Sequence, residues 1–310
     1  MRLLRIGPPG RERPAALDEA GVLRDLSSVT RDIDAVFLAD PTAVAAARQA
    51  VASGAMPELP AGLRVGAPVG RPGTVVGIGL NYRDHAAEAG LPLPATPVMF
   101  LKPGSSVVGP YDDIVLPAGS TATDYEVELG VVIGQPLGDC SDPVQALAAV
   151  AGYVAADDVT ERDLLAAGPT WTKGKCCDTF TPIGPWLVTA DEVPDPQSLS
   201  LQLWVNGEQR QSSDTKLMAF GVAELLCAVS ALMTLGPGDL VLTGTPGGVA
   251  AGRPEPKPFL RDGDVVELEV EGLGRQRTPV RGHRISESWN FTRGGAGREW
   301  HDRARPGHPR

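Results

Sequence analysis

The sequence contains little cysteine, and its few cysteines are not spaced for a metal site or a disulfide framework. Among 310 residues there are four, and no pair has the C-x-x-C spacing of a zinc or redox motif. Cys176 and Cys177 are adjacent, an arrangement that suits neither a zinc knuckle nor an ordinary disulfide. We therefore expect reduced thiols and a cytoplasmic location.

Long apolar runs and an excess of positive charge are also missing. The longest apolar run, residues 222–235, is interrupted by polar side chains and is too short to span a bilayer. The N-terminus lacks the apolar core of a signal peptide. The formal charge of −10 argues against a nucleic acid or an anionic membrane as the main partner. We expect neither kind of partner.

No glycine-rich segment has the spacing of a nucleotide-binding loop. The loop at residues 243–249 follows a predicted strand, but no Gly-Lys-Ser/Thr comes after it. Gly77 and Gly79 lack the third glycine of a dinucleotide fingerprint, whose place is taken by Tyr82. We therefore expect no nucleotide cofactor. The loop 243–249 stays a candidate for binding an anion through its N–H groups, as does the segment that begins at Lys102, which an ordinary turn would explain equally well.

The sequence is instead rich in turn signals. Its 37 glycines and 29 prolines favour many short strands over a helical bundle. We predict a small α+β N-terminal unit at residues 1–70 and a large second unit at residues 71–282. The composition changes after that point to Gly, Arg, Glu and His without a period, so we predict a mobile tail at residues 283–310.

Two carboxylates are predicted to lie side by side in residues 123–134, which have the pattern of a strand that ends at a glycine. Side chains two apart on a strand share a face, so Glu126 and Glu128 repel each other unless a cation, a shared proton or water offsets the repulsion. The wet face of an edge strand is the alternative explanation. Asp158, at the end of the next apolar strand, is a candidate third ligand. Three carboxylates without clustered histidine or cysteine favour a hard cation, Mg²⁺ or Mn²⁺, with Ca²⁺ as an alternative.

A histidine and a glutamate are predicted to share one side of a short helix at residues 81–90, with Asp84 as a candidate N-cap and Gly90 as its stop. His85 and Glu88 are three residues apart, so the carboxylate can raise the basicity of the imidazole. The pair is a candidate general base, and a surface histidine on an alanine-rich helix is the alternative. The other histidines all lie in the predicted tail.

Cationic side chains follow the acidic strands. Lys175 lies in a glycine-containing loop, where a lysine can bind a carboxylate or an enolate oxygen, whereas Lys173 is expected to be only solvated. Arg162 comes four residues after Asp158, so it is predicted to lie one helical turn from the cation. A salt bridge on a helix surface would explain Arg162 equally well.

The order of these motifs is more specific than any one of them. They are Gly-Leu-Asn-Tyr-x-x-His-x-x-Glu (79–88), Phe-Leu-Lys-Pro (100–103), Asp-Tyr-Glu-Val-Glu-Leu-Gly (124–130), Gly-Tyr-x-x-x-x-Asp-Val-Thr-x-Arg-Asp (152–163), Lys-x-x-Asp-Thr-Phe (175–180) and Thr-Gly-Thr-Pro-x-Gly-Val (243–249). Over residues 75–281 this order resembles the fumarylacetoacetate hydrolase family. Among its members, the motifs look most like those of the 2,4-dioxo-3-deoxy-sugar-acid hydrolases and the so-called ureidoglycolate lyases.

The resemblance implies an α+β protein with a mixed β-roll catalytic domain, assembled as a homodimer. It implies Mg²⁺ or Mn²⁺ on Glu126, Glu128 and Asp158, although the neighbouring Asp157 makes the third ligand ambiguous. It also implies a lid helix and substrate contacts. The residues expected in these roles are His85, Glu88 and Lys175 for catalysis and Arg162, Thr245, Lys102 and Tyr82 for substrate binding.

The implied substrate is a small 2-oxo acid bound by the cation. His85 and Glu88 would take a proton from water, the hydroxide would attack a carbonyl two carbons from the 2-oxo group, and Lys175 would stabilise the departing enolate. We therefore expect hydrolysis of a C–C bond in an acylpyruvate-type 2,4-dioxo acid. Decarboxylation or isomerisation at the same site is the first alternative, and a non-catalytic, metal-stabilised binding protein is the second.

Overall fold

The computed structural model of the chain describes residues 1–283. All but the first residue of the predicted tail, 283–310, therefore lies outside the described residues. Within residues 1–283, no helix combines the length and the apolar character needed to cross a membrane.

Strands outnumber helices in the described part of the chain. The strands are β1 (Arg2–Ile6), β2 (Arg13–Leu17), β3 (Leu23–Asp25), β4 (Val75–Gly79), β5 (Val98–Lys102), β6 (Val107–Val108), β7 (Ile114–Val115), β8 (Thr123–Asp124), β9 (Val127–Ile133), β10 (Val150–Asp157), β11 (Thr160–Glu161), β12 (Thr181–Pro182), β13 (Leu187–Thr189), β14 (Ser200–Val205), β15 (Glu208–Asp214), β16 (Leu240–Leu242), β17 (Val265–Val270) and β18 (Gly274–Arg281). The α-helices are α1 (Ala35–Leu38), α2 (Pro41–Ala52), α3 (Arg83–Ala89), α4 (Pro143–Ala148), α5 (Arg162–Ala166), α6 (Thr172–Lys175) and α7 (Val222–Ser230).

Nine strands form one large mixed sheet in the order β3-β2-β1-β13-β10-β9-β16-β4-β5. Its neighbouring strands are antiparallel, except that β16 and β4 are parallel. The interior strand β9 is buried along its whole length. Leu129 and Val131 enter the core on one side of the sheet, whereas Val132 enters the core on the other side. Because both faces of β9 are covered, its sequence is a continuous apolar run apart from Glu128 and Gly130.

A second sheet of five strands, in the order β15-β14-β17-β18-β7, packs on one of these cores. Alternate side chains of β14 and β17, among them Leu201, Leu203 and Leu268, point into the core. Strand β17 alternates between buried and more accessible positions, as the sequence of residues 264–270 predicts. Two sheets around a shared core, combined with helices, confirm the predicted α+β class and its mixed β-roll.

The N-terminal segment is joined to the large sheet. Strand β1 pairs with β13 through Arg2 opposite Val188, and the Met1 amino group donates a 2.7 Å hydrogen bond to Thr189 Oγ1. Arg64 forms an ion pair with Asp112 across the predicted boundary, with 2.5 Å between Nη2 and Oδ2. The first 70 residues thus share a sheet and an ion pair with the rest of the chain. A separate unit at residues 1–70 stays a prediction.

The helix that carries His85 begins later than predicted. Helix α3 has Tyr82 at its N-cap position, without a hydrogen bond from a capping side chain, so the prediction of Asp84 as N-cap is wrong. Asp84 instead lies in the first turn, where its Oδ2 accepts a 2.6 Å hydrogen bond from the Ser213 hydroxyl of β15. Gly90 ends the helix in the left-handed conformation with φ of 64°, as predicted.

Candidate active site

Three buried carboxylates meet where two strands of the large sheet begin and end. Strands β9 and β10 are antiparallel, with Ala156 opposite Glu128, so the residue that follows β10 lies near the start of β9. One ligand oxygen from each of Glu126, Glu128 and Asp158 lies within 4.8 Å of the other two. The structure therefore brings together the three residues that the sequence nominated as metal ligands. Their function as ligands stays a prediction.

Glu126 and Glu128 do not share one continuous strand, so that detail of the sequence prediction is wrong. Strand β8 ends at Asp124 and β9 starts at Val127, which leaves Glu126 between them. The side chain of Asp157 takes the backbone N–H of Glu126 at 2.8 Å and so occupies a donor that a regular ladder would use. The carboxylates converge because of this interruption and the pairing with β10.

Two buried lysines surround the cluster. Lys175 Nζ lies 2.7 Å from Glu126 Oε2 and 2.6 Å from Asp158 Oδ2. Lys102 Nζ donates to the other oxygen of Asp158 at 2.5 Å and to the carbonyls of Phe180 and Val159 at 2.8 and 3.3 Å. An ammonium has three N–H donors, so those of Lys102 are all engaged. The structure thus places Lys102 behind Asp158, and its direct contact with substrate stays a prediction.

The carboxylates differ in how well positive charge compensates them. Burial alone would raise the pKa of Glu126, but Lys175 and Arg162 lower it to about 2. Burial, together with repulsion from Asp158 and Glu126, holds the pKa of Glu128 well above its ordinary range. In the described part of the chain, Glu128 has one hydrogen-bond donor, the backbone N–H of Gly244 at 2.7 Å. A buried, under-compensated carboxylate beside two others fits a hard divalent cation with oxygen ligands.

Arg162 is held in the site by two carboxylates. Its Nε donates to Asp124 Oδ2 at 2.8 Å, and its Nη2 donates to Glu126 Oε1 at 2.6 Å. Asp124 is fully buried and also accepts the backbone N–H groups of Ala250 and Ala251 at 2.7 and 3.0 Å. The sequence analysis missed Asp124 as a site residue because only the fold shows that it supports Arg162.

The predicted general-base pair lies on α3, where His85 lines the cleft beside the cluster and Glu88 does not. His85 Nδ1 lies 3.6 Å from Glu88 Oε2, which is within ion-pair range but beyond hydrogen-bonding distance. Asn81, at the entry to the helix, donates to the carbonyls of Thr243 and Phe220 at 2.8 and 3.1 Å, so it fixes α3 to the end of β16. Asn81 lies within a motif of the sequence, but its anchoring role appears only in the structure.

The glycine loop after β16 binds carboxylates of the protein itself. The N–H of Gly244 donates to Glu128 Oε2 at 2.7 Å, and the N–H of Gly248 donates to Glu88 Oε2 at 2.9 Å. The loop was predicted to offer such groups to an anion, and these two are already taken. The hydroxyl of Thr245 donates to Val127 O at 3.0 Å and accepts from Gln211 Nε2 at 2.8 Å. Gln211, buried on β15, is a further residue that the sequence analysis missed.

Substituting Gly244 should test how tightly this loop is packed. Gly244 has φ of +100°, and an added Cβ would lie 2.8 Å from Asn81 Cβ. Gly263 has a similar φ of +92° but open space around the Cβ position, so Gly263→Ala is a matched control. Because both variants carry the backbone strain, Gly244→Ala should lose about 1 to 3 kcal/mol more stability through overpacking. Urea denaturation measures the difference, and equal losses would contradict the tight packing.

A cleft of about 170 Å³ opens over the acidic cluster. Five predicted site residues line it, and they are His85, Glu126, Lys175, Arg162 and Thr245. The other five predicted site residues do not line it, and they are Glu88, Glu128, Asp158, Lys102 and Tyr82. Tyr82 is fully buried. Its burial, and to a lesser extent the negative charge of Glu128, raise the pKa of its hydroxyl well above the ordinary value. Substrate binding by Tyr82 stays a prediction.

The chain matches one protein family over most of the length that carries these motifs. Residues 74–281 match the C-terminal domain of fumarylacetoacetate (FAA) hydrolase. A relative from Burkholderia multivorans, which carries only a general hydrolase name, is 51% identical over 277 residues, covering 89% of this chain and 97% of its own length.

Solved structures of three similar proteins cover this chain almost completely. The fumarylacetoacetate hydrolase of Exiguobacterium antarcticum is 36% identical with a TM-score of 0.79, covering 91% of this chain and all (100%) of its own. The 5-carboxymethyl-2-hydroxymuconate delta-isomerase of Mycobacterium smegmatis is 34% identical with a TM-score of 0.73, covering 92% and 100%. The maleylpyruvate hydrolase of Sphingobium sp. SYK-6, solved with manganese(II) and pyruvate, is 28% identical with a TM-score of 0.76, covering 92% and 100%. The family match, the shared fold and the residues gathered in the cleft lead to one conclusion: the chain belongs to the fumarylacetoacetate hydrolase family and is an enzyme of that family.

Proposed function

We propose that this enzyme is a divalent-metal-dependent hydrolase that cleaves a C–C bond in an acylpyruvate-type 2,4-dioxo acid. The observation that carries the proposal is the position of His85 in the same cleft as Glu126 of the buried carboxylate cluster. Water activation and stabilisation of negative charge are thereby available within one small space. The expected products are pyruvate and the carboxylic acid that corresponds to the acyl group.

The proposed cation is Mg²⁺ or Mn²⁺, held by Glu126, Glu128 and Asp158. When bound, it supplies a Lewis acid for the oxygens of a 2-oxo acid. The manganese(II) and pyruvate in the maleylpyruvate hydrolase structure support both the choice of ion and the class of substrate. A third carboxylate from Asp158, rather than Asp157, agrees with the positions of the ligand oxygens.

His85 is proposed to take a proton from the attacking water. The hydroxide bonds to the 4-oxo carbon, the bond between C3 and C4 breaks, and its electron pair stays on the three-carbon fragment, which becomes the enolate of pyruvate. His85 then transfers to C3 the proton that it took from water, so atoms and charge balance. Glu88 Oε2 lies 3.6 Å from His85 Nδ1, so its negative charge is close to the imidazolium that forms in the first step.

Lys175 is proposed to stabilise the enolate as it forms. Burial opposes its charge, but Asp158 and Glu126 raise the pKa of Lys175 above its ordinary value, so the ammonium stays protonated. A buried cation at a fixed position stabilises developing negative charge more strongly than a solvated one. Arg162, held by Asp124 and Glu126, is proposed to orient the substrate carboxylate.

Isomerisation is the second candidate function. The observation that favours it is the similarity to the hydroxymuconate delta-isomerase of Mycobacterium smegmatis. Isomerisation and decarboxylation also pass through a stabilised enolate, but unlike hydrolysis neither reaction needs an attacking water. Hydrolysis, isomerisation and decarboxylation therefore differ in their products.

A panel of acylpyruvates tests the proposal directly. We expect the enol absorbance of acetylpyruvate to disappear after addition of Mn²⁺ or Mg²⁺ to metal-free enzyme, with equal amounts of acetate and pyruvate formed. Ca²⁺ is the comparison ion, and chelation should remove activity reversibly. Release of CO₂ would identify a decarboxylase, and a shifted absorbance without cleavage would identify an isomerase; either result contradicts hydrolysis.

The predicted homodimer and cytoplasmic location are also proposals. Sedimentation equilibrium of the full chain measures the first, and a monomer at micromolar concentration would contradict it. Fractionation of cells that express the full chain measures the second.

A further inference from the structure

The lining of the cleft is chemically mixed. Its polar side chains are the five predicted site residues named above. Apolar residues also line it, among them Leu80, Ala89, Leu91, Phe100, Leu165 and Trp171. We refer to these six residues as the apolar wall. The proposed reaction uses the polar side chains, so the wall is available for the part of the substrate that does not react.

Two glycines of β4 make the aromatic part of the wall possible. Gly77 and Gly79 are two apart and so face the same side of the sheet. A Cβ on Gly77 would lie 2.2 Å from Phe100 Cζ, and one on Gly79 would lie 1.8 Å from Trp171 Cζ3. Both rings therefore lie directly on the backbone of β4. Gly77 and Gly79, which do not complete a dinucleotide fingerprint, instead leave the space that these two rings occupy.

The wall begins beside the reacting groups. The centroid of the Phe100 ring lies 4.9 Å from Lys175 Nζ and 5.8 Å from the centroid of the Trp171 ring, and the two ring planes are tilted by 56°. A chain of contacts thus runs from Lys175 through Phe100 to Trp171. Leu91, with 54% of its surface exposed, extends the wall toward the mouth of the cleft. An acyl group that extends from the reacting carbon in this direction contacts apolar atoms.

The cations that line the cleft, Arg162 and Lys175, are the ones that the proposed reaction already uses for the carboxylate and the enolate of the 2-oxo acid. Arg162 bonds Asp124 and Glu126, and Lys175 bonds Glu126 and Asp158. A second carboxylate at the far end of a substrate would lose water against the apolar wall without gaining a cation from it, which is unfavourable. An alkyl or aryl group would instead bury apolar surface and stack on an aromatic ring.

We propose that the substrate carries an apolar acyl group, alkyl or aryl, that packs against Trp171 and Leu91, rather than a second carboxylate. The inference rests on the proposed hydrolysis of acylpyruvates and adds the class of acyl group. Trp171 is thereby assigned as a specificity-determining residue, which binds the acyl group and takes no part in proton transfer.

Steady-state kinetics with three substrates test the assignment. We expect kcat/KM for benzoylpyruvate to exceed that for maleylpyruvate, a diacid, by about tenfold or more, with acetylpyruvate between them. Trp171→Ala should reduce kcat/KM for benzoylpyruvate about ten times more than for acetylpyruvate, and Trp171→Phe should restore most of the difference. Trp204→Phe is the matched control, because Trp204 stacks on Arg275 in the second sheet. A preference for maleylpyruvate, or an equal loss for all substrates in Trp171→Ala, would overturn the proposal.

A second variant keeps the test independent of the tryptophan. Leu91→Arg adds a cation at the exposed end of the wall, so it should raise kcat/KM for maleylpyruvate about tenfold relative to benzoylpyruvate. An unchanged ratio would count against a wall that contacts the acyl group.

Binding of uncleavable ligands separates this inference from the proposed function. 2-Oxo-4-phenylbutanoate and 2-oxoadipate lack the 4-oxo group, so neither can be hydrolysed by the proposed route. With Mn²⁺ present, calorimetry should give about tenfold tighter binding of the phenyl compound, and Trp171→Ala should remove that preference. If the preference is found but acylpyruvates are not cleaved, the reaction is wrong and the wall stands. If acylpyruvates are cleaved but 2-oxoadipate binds more tightly, the wall is wrong and the reaction stands.

Discussion

Replacing Glu128 with glutamine should abolish turnover and weaken Mn²⁺ binding by more than about 100-fold. Loss of a residue that only supports a metal ligand typically costs about 10- to 100-fold in affinity, and a direct ligand should cost more. The glutamine keeps the size of the side chain and an oxygen that can accept the Gly244 N–H, which lies 2.7 Å from Glu128 in the native protein. The variant therefore changes the charge of the cluster with little change in its packing. Calorimetric titration with Mn²⁺ measures the affinity.

The same variant should have the opposite effect on the metal-free protein. Burial and the nearby Asp158 and Glu126 hold the pKa of Glu128 well above its ordinary range, so its charged form opposes folding. A carboxyl group whose pKa is raised on folding costs stability above its unfolded pKa, and the cost grows with pH until the folded pKa is passed. Metal-free Glu128→Gln should therefore unfold at a temperature no lower than metal-free wild type at neutral pH. Adding Mn²⁺ should raise the melting temperature of wild type alone.

Glu269→Gln is the matched control for both measurements. Glu269 is exposed on β17, in the second sheet, so removing its charge should leave Mn²⁺ affinity and turnover unchanged. Wild-type affinity for Mn²⁺ in Glu128→Gln would show that the cluster is not the metal site.

Replacing His85 with alanine should lower kcat by about 10²- to 10⁴-fold, the usual contribution of general-base catalysis. His85 lies in the cleft but is not a member of the three-carboxylate cluster, so Mn²⁺ should bind with unchanged affinity. This combination separates the two proposed roles, because Glu128→Gln should lose both properties. Single-turnover kinetics with acetylpyruvate measure the chemical step without product release.

Two variants on the same helix serve as comparisons. Glu88→Gln keeps an oxygen for the Gly248 N–H but removes the negative charge beside His85, so its loss of kcat should be smaller than that of His85→Ala. Ala87→Gln changes an exposed position of α3 and should leave turnover unchanged. Wild-type turnover in His85→Ala would remove the proposed water activation while leaving the metal site intact.

Much of the fold follows from short-range patterns in the sequence. The strict alternation of residues 264–270 predicts β17, and the apolar run before Asp158 predicts β10, because side-chain periodicity reports which face of a strand is buried. Gly90 ends α3 because the left-handed conformation there favours glycine. Such signals depend on neighbouring residues alone, so they can be recognised without knowledge of the fold.

Contacts between distant parts of the chain escape this kind of reasoning. Asp84 has the residue type of an N-cap, yet Ser213, more than a hundred residues later, takes its carboxylate. Glu126 lies in an apparent strand, yet Asp157 takes its N–H group and interrupts the ladder. In each case a side chain brought near by the fold competes with the local pattern.

Residue types and their order along the chain were enough to predict the chemical groups of the site: a histidine and a glutamate on a short helix, carboxylates at strand ends, and lysines and an arginine after them. Residue type limits chemistry regardless of fold, so these predictions did not depend on the fold. How each group is used follows from the folded arrangement alone. That arrangement placed Lys102 behind Asp158 instead of in the cleft, gave the amides of the glycine loop to Glu128 and Glu88, and laid Trp171 on Gly79. The physical reason is that hydrogen bonds and close packing depend on distances of a few ångströms between residues far apart in the chain, and local periodicity carries no information about those distances.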